Sequence, residues 1–161
     1  MSGRLFQDIH VVNAMPSGNE AAYEDLFNGS PSTDIVNLGK YDKALWIIQK
    51  AAGATGTAVV TVESCDTVVP GTATAVAFNY WTCTTSDTWS DMQTATSAGF
   101  TTTAGANQVY AVEINSSELN STDQFARLKL TESAADAVDG TVVCILSGPR
   151  FMHEVSQTAL S

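Results

Sequence analysis

The sequence predicts an all-β protein, an antiparallel β-sandwich of jelly-roll or immunoglobulin-like order with a short N-terminal helix and an extended arm. Three observations predict it. Short runs rich in Val, Ile and Thr recur along the chain, turn residues punctuate them at fairly even spacing, and helical periodicity is almost absent. The pattern amounts to roughly seven to nine short strands. At 161 residues the chain makes one domain able to bury about two-thirds of its unfolded surface, so the core needs no staples. We divide it into an arm with the short helix at 1–37, a β-sandwich domain at 38–151 and a tail at 152–161.

In the arm, Ile9, Val11 and Val12 predict a short strand, ended by the turn-rich Met15-Pro16-Ser17-Gly18. A helix is expected next. Ser17 and Glu20 have capping-box spacing, and Asn28-Gly29 is a stop signal. Tyr23, Leu26 and Phe27 then share one helical face, which packs either on its own domain or on another chain.

After Asp34–Leu38, the apolar runs Ala44–Ile48 and Thr57–Val62 flank Gly53 and Gly56, which predicts a hairpin. Pro70-Gly71 marks a turn. Thr74–Cys83 reads as one strand with Val76, Phe78 and Tyr80 on one face. Thr84–Gln93 is a loop or a short edge strand in which Trp89 is expected to anchor back onto the core. Gly99–Asn107 supplies a further strand and a Gly/Asn turn.

Gln108–Ile114 and Phe125–Thr131 are the clearest strands. In the second, Ala126, Leu128 and Leu130 point one way and Arg127 and Lys129 the other, so one face is buried and one is wet. Between them, Ser116–Asp123 fits a single helical turn crossing from one sheet to another. Thr141–Leu146 is apolar on both faces and is expected to be central.

Seven basic against seventeen acidic side chains give a formal net charge of −10, which repels a phosphate backbone, so nucleic acid is not expected as a partner. No apolar run approaches the ~20 residues that span a bilayer, and no membrane partner is expected. The N-terminus lacks the regions of a signal peptide, which predicts folding in a reducing cytoplasm. Cys65, Cys83 and Cys144 lack metal-ligand spacing and read as small buried apolar side chains.

Catalysis finds little support. The two histidines, His10 and His153, lie near the ends and outside any nucleophile motif. The oxygen-rich loops around Asp87 and Asp91, Asn115, Glu118 and Asp123, and Asp136 and Asp139 lack the dense carboxylate alternation of a calcium loop. We expect no enzyme activity, no metal and no cofactor.

Five segments carry a resemblance: Gly39-Lys-Tyr-Asp-Lys-Ala-Leu-Trp-Ile-Ile48, Gly56-Thr-Ala-Val-Val-Thr-Val-Glu-Ser-Cys-Asp66, Gly99-Phe-Thr-Thr-Thr-Ala-Gly-Ala-Asn-Gln-Val-Tyr110, Phe125-Ala-Arg-Leu-Lys-Leu-Thr-Glu132 and Val142-Val-Cys-Ile-Leu-Ser-Gly-Pro-Arg150. Their phrasing, spread from about Leu38 to Phe151, resembles a family of small β-rich virion proteins of tailed bacteriophages, of the capsid decoration or cement type. The resemblance implies a structural role on the outer capsid surface, with the major capsid protein as partner and self-association on the shell. On that reading Phe6, Ile9, Val11, Tyr23, Leu26 and Phe27 are the candidate capsid contacts. Two alternatives stay open: another virion component, such as a tail-tube, connector or fibre-associated module, and a carbohydrate-binding sandwich using Trp46, Tyr80, Trp81 and Trp89.

Overall fold

The fold is given by a computed structural model that describes residues 8–15, 24–53, 55–85 and 87–150. Among the described residues the chain is all-β. Its strands are β1 (Ile9–Asn13), β2 (Val36–Asn37), β3 (Tyr41–Lys50), β4 (Thr57–Cys65), β5 (Ala73–Val76) and β6 (Phe78–Cys83). They continue as β7 (Gln93–Ala95), β8 (Phe100–Thr101), β9 (Gln108–Asn115), β10 (Phe125–Ala134) and β11 (Gly140–Pro149). Two antiparallel sheets result. One has six strands in the order β1-β11-β3-β9-β6-β7, and the other five, with β2-β10-β4-β5 in line and β8 on β4.

Period-two burial explains why these segments pair as they do. Ala44, Trp46 and Ile48 of β3, Val112 and Ile114 of β9, and Val142, Cys144 and Leu146 of β11 point inward from the larger sheet. Ala58, Val60 and Val62 of β4 with Ala126, Leu128 and Leu130 of β10 point inward from the smaller one. All belong to one core cluster, so each sheet supplies the apolar lid for the other. Each fully buried aliphatic side chain contributes about 1.5–3 kcal/mol. Shifting any of these strands by one residue turns its apolar set outward, which fixes the register.

Ala44–Ile48 and Thr57–Val62 are strands but not a hairpin. β3 pairs with β11 and β9 in one sheet, whereas β4 pairs with β10, β5 and β8 in the other. The glycine segment between them is therefore an arch from sheet to sheet. It is held by Ala51 N–H donating to Asp139 O at 2.7 Å and by the pressing of Gly53 and Gly56 against residues 136–138. The Thr74–Cys83 run also divides. Val76 completes β5 opposite Val62, and after Ala77 the chain enters the other sheet, where Phe78 pairs with Ala95. Strands that change sheets in this way make the corners of a two-sheet core.

The other expectations fall as follows. The crossing between β9 and β10 carries a 3-10 turn at Ser116–Glu118 and does connect the two sheets. β11 is paired on both sides, by β1 and β3. The N-terminal helix is not supported. Residues 17–23 lie outside the described residues, residues 26–29 form a turn, and among the described residues there is no helix of seven or more residues. The described part of 1–37 is also woven into the sheets, because β1 pairs with β11 and β2 with β10. The boundary drawn at residue 37 thus coincides with no break in pairing.

Candidate functional site

A buried polar cluster is built at the end of β3. The inward parity of Ala44, Trp46 and Ile48 runs on to Lys50, whose side chain is 0% exposed. Lysine is almost never found there without partners. Its Nζ donates to Gly56 O at 2.9 Å and Thr103 O at 2.8 Å, with Gln108 Oε1 at 3.5 Å and the Phe27 ring centroid at 5.9 Å. Gln108 is held in turn by Tyr110, whose hydroxyl donates to Oε1 at 2.8 Å and accepts from Thr103 N–H at 3.0 Å. Burial lowers the pKa of Lys50, since its acceptors are neutral oxygens and no opposite charge offsets desolvation. The ammonium thus works as an internal tie between the β3–β4 arch, the segment after β8 and the start of β9. Sequence reasoning assigned it no role. Strand parity was the available signal, and its charge argued against using it.

The thiols are not poised for chemistry. Cys65, Cys83 and Cys144 are all buried. Burial pushes Cys65 up to about 11 and Cys144 further in the same direction, which keeps both in the un-nucleophilic thiol form. Among the described residues no group of three or more His, Cys, Asp or Glu is placed to hold a metal ion. Three of the carboxylates in the oxygen-rich loops, those of Glu118, Asp123 and Asp136, bond locally. Glu118 accepts from Asn115 N–H at 2.7 Å and from its side-chain amide at 2.9 Å, while Asp123 accepts from the Ser64 hydroxyl at 2.7 Å. Thr55 likewise donates to Asp136.

The candidate contact residues separate. Ile9 is half-buried and Val11 is 42% exposed, both on edge strand β1. Leu26 and Phe27 are 0% exposed and belong to the domain's own core, which takes them out of any docking face. The turn that carries them is tied down by Leu26 N–H donating to Val138 O at 2.7 Å. Phe6 and Tyr23 lie outside the described residues. Of the tryptophans, Trp46 is wholly buried and Trp81 half-buried, while Trp89 is 45% exposed and so is not the expected anchor. Met92 beside it and Val69 on the β4–β5 turn are exposed as well.

Register places the outward side chains. On the six-stranded sheet one row runs Val143, Ile47, Ala111, Trp81, and the next runs Val11, Ile145, Leu45, Glu113, Asn79. The outward face of the smaller sheet differs. Arg127 sits opposite Glu63, with an ion pair at 2.7 Å, and Lys129 sits opposite Thr61. The outward centre of the six-stranded sheet is therefore mostly apolar, with Leu45, Ile47, Val143, Ile145 and Trp81 half-buried and Ala111 buried, whereas the smaller sheet mixes Arg127, Glu63, Lys129 and Thr61 with Val59 and Phe125. No helix among the described residues is long and apolar enough to cross a membrane. Compared with known proteins, the chain matches no family model, no curated protein and no solved structure.

Proposed function

We propose that this chain is a structural virion protein that binds the outer surface of a tailed-phage capsid and stabilises it, as a decoration or cement protein. The observation that supports this reading is the five-segment resemblance. Those segments fall on β3, β4, β8 with the start of β9, β10 and β11, the strands that build both sheets. The two sheets sharing one core are read as a β-sandwich of jelly-roll or immunoglobulin-like order. On this reading the major capsid protein is the partner, and the chain folds in the host cytoplasm before joining the particle.

Contact runs through the N-terminal residues that lead into β1, with Ile9 and Val11 as the described part of that surface. Leu26 and Phe27 no longer belong to it, because they fill the core. Many copies, each held modestly, convert single-site affinity into stability of the shell through multivalency. A net charge of −10 keeps the chain off the packaged nucleic acid.

The test compares complete particles with particles lacking this chain. Loss of the protein is expected to lower resistance to heat and to internal DNA pressure, and labelled copies are expected over the head. Equal resistance, or label confined to the tail, overturns the proposal.

A further inference from the structure

We infer that the outward face of the six-stranded sheet is the surface through which two copies of this chain associate. The centre of that face is apolar across four adjacent strands: the half-buried Val143 and Ile145 of β11, Leu45 and Ile47 of β3 and Trp81 of β6, around the buried Ala111 of β9. Lys43, Gln49, Glu113, Asn79 and Ser147 flank it. An apolar centre within a polar rim is the anatomy of a protein interface.

Size and charge both favour a second copy as the occupant. Strands spaced ~4.8 Å apart and rising ~3.3 Å per residue give six strands of about seven residues a footprint on the order of 650 Å². This approaches the ~800 Å² that each partner contributes to a stable complex. Two chains of net charge −10 repel one another wherever acidic surface meets acidic surface. Within the paired registers of β3, β11, β9 and β6, the outward positions carry one lysine, Lys43, and one glutamate, Glu113. Copies meeting here bury hydrocarbon while bringing no net charge together. A basic partner would find no acidic surface to recognise on this face. Flat sheet faces also stack on themselves at about 10 Å, so one face serves both sides of an isologous pair.

The inference shares Val11 with the proposed capsid contact and deepens the self-association that the resemblance implies, but its test uses the purified chain alone, so its failure is distinguishable from failure of the capsid reading. Sedimentation equilibrium of the full-length protein over roughly 1–100 μM is expected to show a dimer, as an interface of this size supports. Ile145→Glu, at the centre of the face, is expected to weaken dimerisation at least about a hundredfold. Val11→Glu, on an edge strand and already exposed, is expected to weaken it about tenfold, so the test survives if the central variant does not fold. Thr131→Glu on the other sheet leaves the dimer intact, and near-UV circular dichroism checks the fold of each variant. A monomer at every concentration overturns the inference and assigns the cover of this face to the chain's own end segments or to another protein. A dimer that withstands both glutamate variants overturns it too.

Discussion

Gly53 lies in the arch that carries the chain from one sheet to the other, and its replacement by alanine tests whether that arch is fixed by close packing. Its φ is +91°, a left-handed conformation that costs an L-residue about 1–2 kcal/mol. A Cβ built there lies 2.1 Å from Ala137 O and 2.7 Å from Val138 Cα, over 1 Å inside ordinary contact at the oxygen. Neither neighbour yields easily. Val138 is 0% exposed and its carbonyl accepts from Leu26 N–H, so moving it disturbs the core and the 26–29 turn together. Overpacking of this kind adds about 1–3 kcal/mol, and Gly53→Ala is expected to cost about 2–5 kcal/mol in total. Gly29 supplies the control. Its φ is +71°, yet nothing lies within 4 Å of an added Cβ, so Gly29→Ala carries the dihedral cost alone, about 1 kcal/mol. Equilibrium urea denaturation reads both, the slope remaining that of the parent protein. Equal losses for the two variants refute the reasoning, since the difference between them is the packing.

Lys50→Met retains side-chain volume but leaves the buried Gly56 carbonyl without its donor and loosens Thr103, and unfolding midpoints are expected to report a loss of about 2–4 kcal/mol. An unchanged midpoint would show that relief from desolvating the ammonium outweighs its hydrogen bonds. In alkali the buried Cys65 thiol, raised from 9.0 to about 11, contributes stability that is whole below pH 9 and lost as pH rises toward 11, and Tyr41, raised by burial from 10.0, acts in the same direction. The loss attributable to Cys65 is about 2–3 kcal/mol, and Cys65→Ala should flatten denaturation curves over that window by this amount. Lys50 acts in the opposite sense, since its lowered pKa makes its desolvation penalty fade as pH approaches 10.5, so comparison within one Lys50 background keeps the thiol effect separate.

What the sequence revealed depended on how local the deciding physics was. The parity of β10 was legible, because Arg127 and Lys129 turn outward while Ala126, Leu128 and Leu130 face the core, although the strand runs on past Thr131 to Ala134. The arch was not legible. Gly53 and Gly56 announce a bend, but hairpin and arch use the same glycines, and the choice is made by Lys50, Asp139 and Val138, two of them more than eighty residues further on. Ala77 gives no sign that the chain changes sheets there. Leu26 and Phe27 show how spacing misleads: i and i+1 neighbours both reach the core when a turn, not a helix, presents them. Lys50 was hidden for a different reason, because a charge at an inward position is read as outward until its acceptors are known.

The two outward faces separate what the fold requires from what it does not. β4 is flanked on both edges, by β10 on one side and by β5 and β8 on the other, yet besides Val59 it turns Thr57, Thr61 and Glu63 outward. β3 is equally central, between β11 and β9, yet it turns Leu45 and Ile47 outward. A central position therefore does not oblige a strand to be apolar on both faces, and the double apolarity of β3 and β11 needs a separate cause. The shared core cannot be that cause, because it takes only the inward rows of each sheet. Large contiguous apolar patches on soluble proteins mark sites of association. The hydrocarbon on this face lies outside the shared core cluster, so on the association inferred above its disruption should dissociate the two copies without unfolding the chain.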